Sequence, residues 1–301
     1  MPNQNEQPKI LDFYLPEVEQ ILRDRGKEPE LPLKRLSSIN KKIWGIHKKK
    51  LTIVGARTSN CKSAFVINIA LDLALDNHSV LFLSLEMPIH DIIERMFCMH
   101  KKVDNIELLH GNIDKYKEQW KTFCEKIKNA PLVITDMIGK NWKEIDDVVA
   151  KVNPKPEVII VDHLQEARGA YTQTQKNVID EYLKNLRTMA IKYNFAAIVC
   201  SQINRASQDS DDKSPQLHQL KSSGYVEEGA DIVFLLHWPY HYNDNVKIND
   251  FKINIAKNRN GRTGFLNINY CPEYYLFEDV PEELNEYETV TKQIVEGEWD
   301  E

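Results

Sequence analysis

No stretch of this 301-residue chain approaches the roughly 18 consecutive apolar residues of a membrane-spanning helix, so a soluble protein is expected. The opening residues, MPNQNEQPKI, lack both the basic start and the apolar stretch of a secretory signal. Cysteine is sparse. Cys61, Cys98, Cys124, Cys200 and Cys271 lie scattered without a C-x-x-C pair, which points to reduced thiols in a cytosolic protein, most of them core residues. Internal repeats and low-complexity blocks are absent as well. With 42% hydrophobic residues the chain can still bury a substantial core.

The net charge of −6 is unevenly spread. Residues 278–301 carry ten acidic side chains against Lys292 alone, a net of −9, which leaves +3 on the other 277 residues. The acidic end reads as a solvated tail or a partner-docking peptide. An acidic total does not exclude a nucleic-acid partner, because only the patch facing the phosphates matters.

Eight apolar runs have strand length: residues 51–54, 80–85, 131–136, 158–162, 196–201, 231–236, 251–256 and 265–270. Most are continuous rather than alternating, as when helices cover both faces of a parallel sheet. Amphipathic helices are expected at 62–76, 88–100, about 113–128, 142–151 and 176–193. The alternation predicts right-handed βαβ units in a doubly wound α/β domain. The last two strands flank KNRNGRTG (257–264), whose Asn-Gly predicts an antiparallel hairpin at the end of the sheet. Residues 1–34 look separate, with a helix at 16–26 opened by Pro16 and a linker, PELPL, after it.

The segment LTIVGARTSNCKSAFVINIAL reads as strand, polar loop, Lys-Ser and helix. That arrangement cradles phosphate oxygens on backbone N–H groups, brings a lysine to the terminal phosphates and offers a hydroxyl to Mg2+. The usual spelling is G-x-x-x-x-G-K-S/T; here Ala56 and Cys61 stand at the two glycine positions around Arg57, Thr58, Ser59 and Asn60. The second glycine normally supplies a conformation that a side chain resists at a cost of about 1 kcal/mol. Two carboxylates end strands downstream. Asp162 closes VIIVD, where such sites hold the metal shell, and Glu86 closes VLFLSLE, where a base can activate water. Each could instead cap a following helix. In open α/β sheets, however, ligands bind at the carboxyl ends of strands.

These residues resemble the C-terminal ATPase domain of DnaB-type replicative helicases, a RecA-like fold of superfamily 4, over about residues 35–279. The match runs through GARTSNCKSAFVINIAL, VLFLSLEM (80–87), VIIVDHLQEARG (158–169), IVCSQINR (198–205), LKSSGYVEEGADIVFLL (220–236) and IAKNRNGRTGFLNINY (255–270). The resemblance implies a RecA-like P-loop NTPase domain at 35–279, between an N-terminal extension (1–34) and an acidic tail (280–301). Residues 56–63, ending in Lys62 and Ser63, would bind ATP. Ser63 and Asp162 would hold Mg2+, and Glu86 would activate water. Gln202 would sense the γ-phosphate or couple it to the DNA loop. Lys257 and Arg259 resemble residues that such helicases insert into the ATP pocket of the next subunit, an arginine-finger role implying a homo-hexamer. Lys221, Ser223 and Gly224 align with the loop that contacts single-stranded DNA, with binding through phosphates and main-chain N–H groups. Tyr225 in the same segment reads as a packing residue more than a stacking one.

The implied function is an ATP-dependent, ring-forming DNA helicase translocating on single-stranded DNA in replication. Its place would be cytoplasmic, at a nucleoid or a phage replication site in a host cell. A primase or a helicase loader would be a further partner, and the helix at 16–26 would serve as a linker docking on a neighbouring subunit. WGIHKKK (44–50) replaces the family's glycine-rich approach to the phosphate loop. Cys61 keeps a second reading open, a degenerate member that binds single-stranded DNA or a partner helicase with little turnover. A RecA-like recombination or regulatory ATPase is a third reading, lacking the KNRNGRTG hairpin. The Cys61 thiol, beside Lys62 at a helix start, is either a reactive thiolate or an ordinary packed cysteine.

Overall fold

Apolar strands with helical crossovers assemble, in the computed structural model, into one nine-stranded sheet. The structure describes residues 11, 14–24, 28–166, 174–203, 214–220 and 224–281. In chain order the elements are α1 (Leu15–Asp24), α2 (Ser37–Ile43), β1 (Leu51–Ala56), α3 (Lys62–Leu75), β2 (Val80–Ser84), α4 (Ile89–Lys101), α5 (Asn105–Leu109) and α6 (Lys117–Lys128). There follow β3 (Leu132–Asp136), α7 (Trp142–Lys151), β4 (Val158–Asp162), α8 (Gln175–Tyr193), β5 (Ala196–Gln202), α9 (Gly224–Gly229) and β6 (Ile232–His237). The chain then runs through β7 (Asp250–Asn258), β8 (Gly264–Cys271) and β9 (Leu276–Asp279). The strand order is β3-β2-β4-β5-β1-β6-β7-β8-β9. Neighbours from β3 to β6 pair in parallel and the remainder antiparallel.

The two halves of the sheet differ as their sequences do. In β1, Leu51 and Ile53 enter the core layer of α7 and α8, while Val54 and Ala56 enter the layer of α3 and α4. Both faces are therefore buried, and the run is continuously apolar. In β7, Phe251, Ile253 and Ile255 join the α3 layer, whereas Lys252 is exposed. One face of the antiparallel end is solvated, and period-2 alternation is the signature. The expected hairpin is present. Asn258 holds its turn, accepting from Asn260 N at 3.0 Å and donating to the Arg262 carbonyl at 3.2 Å.

Several expectations needed correction. The PELPL linker is packed: Leu31 and Leu33 have no exposed surface, and Leu31 bridges to Ile46. The helix at about 113–128 is a 3-10 turn over Asn112–Tyr116 followed by α6. The hairpin does not end the sheet, because β9 adds an edge strand, so Glu278 and Asp279 are structured rather than tail. Asp279 caps α2 from the far end of the chain. Its carboxylate accepts from Ser37 Oγ at 2.7 Å and from Ser38 N at 3.1 Å. Residues 282–301, the remainder of the acidic segment, lie outside the described residues.

The buried Asn68 of α3 ties the last strand to the first helix of the sheet. Its amide donates to the Ala64 and Tyr275 carbonyls, both at 2.8 Å, and accepts from Phe277 N at 3.2 Å. Replacement by alanine removes the side-chain partner of all three backbone groups, at a cost of about 1–3 kcal/mol for each buried group left unsatisfied. Asn68→Ala is expected to lower the urea midpoint at unchanged m-value; an unchanged midpoint would show that β9 is not anchored this way.

Candidate nucleotide site

The phosphate loop spans residues 57–61 between β1 and α3. Ser59 and Cys61 sit in left-handed conformations, at φ 62° and 58°. Cys61 thus takes the conformation for which glycine is ordinarily needed, and both residues carry a strain of about 1 kcal/mol each. Asn60, almost fully buried, holds the loop against the segment after β6. It accepts from Trp238 N at 3.0 Å and donates to Tyr242 Oη at 2.9 Å and the Thr58 carbonyl at 3.2 Å. The Arg57 guanidinium lies 5.9 Å from the centre of the Tyr242 ring. Cys61 is the N-cap of α3, and its side chain makes no capping hydrogen bond to the helix. The first-turn N–H groups, which have no intrahelical acceptor, are left to an incoming anion.

The thiol of Cys61 is packed rather than reactive. Burial pushes it up to about 11, against the opposing pull of Tyr270, Arg95 and Lys62, so the thiolate reading is set aside.

Asp162 ends β4 with no exposed surface. Neither of its oxygens makes a well-formed hydrogen bond among the described residues. Burial raises its pKa; the Ser63 hydroxyl, His163, Cys200 and Lys62 around it act in the opposite direction and favour the charged form. Glu86 follows β2 in a turn held by Ser84, whose Oγ accepts from Met87 N at 3.1 Å. The Leu85 N–H donates to the Asp162 carbonyl at 2.6 Å, which locks the two strand ends together. The Glu86 side chain is half exposed. The N-cap of α4 is Pro88, without a side-chain cap, so Glu86 is not the helix cap it could have been.

Gln202, at the end of β5, donates through Nε2 to Thr58 Oγ1 at 3.0 Å, joining its strand to the phosphate loop. Gln165 steadies it, accepting from Gln202 N at 3.0 Å. The phosphate loop, Lys62, Ser63, Glu86, Asp162 and Gln202 are thereby gathered at the carboxyl ends of β1, β2, β4 and β5.

Lys257 and Arg259 lie elsewhere. Two residues apart, they point to the same side, and both donate to the Glu228 carbonyl, Lys257 at 3.2 Å and Arg259 at 2.5 Å. Arg259 N also donates to the Asp231 carbonyl at 2.9 Å, beside the start of β1. The six residues of β1 separate that place from the phosphate loop, a span of about 17–20 Å. Lys221 and Ser223 fall outside the described residues, and Gly224 opens α9.

Sequence reasoning missed His163, Trp238 and Tyr242. His163 is 5% exposed, with Nδ1 2.7 Å from Glu86 Oε2, a close contact without the alignment of a hydrogen bond. Its signal was its place directly after Asp162. Trp238 and Tyr242 belong to the aromatic run WPYHY (238–242), which carries no phosphate-binding spelling of its own. A cavity of about 220 Å3 near Pro131 and Pro154 opens at the amino ends of β2 and β3, and no titratable side chain lines it.

Known proteins resemble this chain in sequence and in fold. A family model described as DnaB-like helicase C terminal domain matches residues 34–279. The replicative DNA helicase DnaC of Bacillus subtilis (strain 168) is 28% identical over 269 residues, covering 86% of this chain and 59% of that protein. The replicative DNA helicase DnaB of Geobacillus stearothermophilus is 28% identical over 262 residues, covering 83% and 57%. This chain thus spans less than two-thirds of the length of these relatives. Among solved structures, one described as an ATPase domain superposes with a TM-score of 0.82 at 23% identity, covering 91% of this chain and 100% of that one. A DnaB-like replicative helicase studied for its interactions with primase gives 0.81 at 22% identity, covering 90% and 69%. The fold is therefore RecA-like, with a mostly parallel sheet and an antiparallel end. With a family model matched from Lys34 to Asp279, the chain belongs to the DnaB-like helicase C-terminal domain family.

Proposed function

We propose that this chain is the ATP-hydrolysing motor of a ring-forming DNA helicase that moves along single-stranded DNA during replication. The observation that carries the reading is the meeting of Lys62, Ser63, Glu86 and a fully buried, unpartnered Asp162 at one end of the sheet. A buried carboxylate is costly unless something charged compensates it. Asp162 with the Ser63 hydroxyl fits Mg2+, an oxygen-seeking cation usually held by one or two protein ligands beside phosphates. Bound there, Mg2+ would neutralise charge on the terminal phosphates. Residues 56–63 would wrap the triphosphate with backbone N–H groups, and the Lys62 ammonium would reach its outer oxygens. Glu86, close to Asp162 yet half exposed, would accept a proton from the attacking water. Gln202, tied to Thr58, would report the state of the loop to the segment after β5.

Lys257 and Arg259 are too far from their own phosphate loop to serve it, which supports action on a neighbouring copy. The α1 stripe supports assembly too. Leu15, Val18 and Leu22 recur at helical spacing and are 51%, 45% and 57% exposed, so the helix is expected to dock on the next subunit of a hexamer. DNA contacts are assigned to Lys221, Ser223 and the backbone near Gly224, and a primase or loader to a further surface. The second reading, a degenerate member with little turnover, is favoured by one observation, Cys61 held at φ 58°.

Three outcomes test this. Lys62→Ala is expected to reduce ATP turnover and forked-DNA unwinding by about 100-fold or more, in line with removing a group that stabilises transition-state charge; equal turnover by variant and wild type would sink the motor reading. Cys61→Gly relieves about 1 kcal/mol of strain that the loop already carries without nucleotide, so ATP affinity and turnover are expected to change by less than about five-fold. A turnover gain of several hundred-fold would mark the native loop as degenerate. Chains carrying Arg259→Ala and chains carrying Lys62→Ala should each be inactive alone and regain part of the ATPase when mixed. No recovery in mixtures would contradict a finger acting between subunits.

A further inference from the structure

The contact between Glu86 and His163 is not required by nucleotide binding. His163 is a nitrogen donor placed directly after the proposed Mg2+ residue, 5% exposed and with Nδ1 lacking any well-formed hydrogen bond among the described residues. Asp162 beside it is fully buried with both oxygens in the same condition. Potential ligand atoms of Glu86, Asp162 and His163 all lie within 4.8 Å of one another. Around one ion, with nitrogen and oxygen ligands at about 2.0–2.2 Å, ligand atoms stand no more than about 4.3 Å apart. A tetrahedral ion would draw them to about 3.3–3.6 Å, a side-chain shift of about 1 Å, and the half-exposed Glu86 has room to move.

We propose that Glu86, Asp162 and His163 form a binding site for a borderline divalent transition-metal ion in the nucleotide-free chain. The donor set decides the class of ion. Two carboxylates alone would suit Mg2+, but an imidazole nitrogen shifts preference toward ions such as Co2+ or Zn2+. The Asp162 oxygens and His163 Nδ1 are buried without well-formed hydrogen bonds, an otherwise unexplained cost that one cation would offset. Three protein ligands leave further positions of the ion open to water or a phosphate oxygen. The site shares Asp162 and Glu86 with the nucleotide site and so rests on that reading for its location. An ion held there would occupy the Glu86 carboxylate and inhibit turnover until displaced.

The test uses the whole chain without nucleotide and Co2+ as probe. Visible absorption titration should show one Co2+ per chain, in bands shifted from the aqueous ion by nitrogen ligation, and not displaced by a hundredfold excess of Mg2+. His163→Gln and Glu86→Gln should each weaken binding about 10- to 100-fold or more, the range lost when even outer-shell metal partners are removed. Thermal melting of each variant shows whether the fold is kept, and Glu86→Gln, half exposed, keeps the test open if His163→Gln is unstable. Equal Co2+ binding by wild type and both variants, or ready displacement by Mg2+, overturns the proposal. Mg2+-dependent ATP binding is measured separately on Lys62→Ala. Its indifference to Lys62 would overturn the nucleotide reading instead, so the two failures are distinguishable.

Discussion

The Asp162 carboxylate is the constraint around which this molecule is arranged. A charge taken wholly out of water costs several kcal/mol unless fixed partners or an ion compensate it. The chain supplies Ser63, Lys62 and His163 around it but aligns none as a full hydrogen-bond partner. Holding it there requires β4 to be central, with β2 on one side and β5 on the other. Those neighbours in turn bring Glu86 and Gln202 to the same end. The Leu85 N–H bond to the Asp162 carbonyl fixes the spacing between the two acidic strand ends. The uncompensated carboxylate at the site is therefore a product of strand order, and a bound cation would offset it.

The opposite end of the sheet carries the complementary arrangement. Asp231 is 1% exposed, yet three cations reach it: Arg187 at 3.4 Å, Arg259 at 3.7 Å and Lys50 at 3.9 Å. Its other oxygen accepts from Leu51 N at 3.0 Å, at the first residue of β1. One carboxylate is left short of partners and the other is amply compensated. Arg259 is held to the sheet by Asp231 while its side chain stays partly exposed. A β-bulge between Val233 and Phe234 shifts the register of β6 with β7 just before Lys257, and re-aims that end of the hairpin.

Much of the fold could be read from the chain because buried parallel strands announce themselves as unbroken apolar runs. VIIVD and AAIVCS are strands β4 and β5 within a residue or so. Elements stabilised by distant partners could not be read in this way. The seven residues of α2 have no local cap; Asp279 supplies it from across the chain. β9 is short, and it is fixed by Asn68 of α3. At the site, Lys62, Ser63, Glu86 and Asp162 stood out through their places at strand ends. Their meeting is visible only once the strand order is known, because β2 and β4 are neighbours that chain order separates by β3. His163 stands within VIIVDHLQEARG, but that run does not show that its ring meets Glu86, which follows the neighbouring strand β2. The Asn60 bonds to Trp238 and Tyr242 join residues about 180 positions apart, beyond any local pattern.

If the site at the carboxyl ends of β1, β2 and β4 is completed by another copy of the chain, nucleotide and assembly are coupled. Native mass measurement in the presence and absence of ATP, Mg2+ and single-stranded DNA reads that coupling. The expected result is a ligand-dependent shift from the 35.0 kDa chain to a closed ring of six. ATP-loaded protein that stays at the mass of a single chain, with or without DNA, would contradict it.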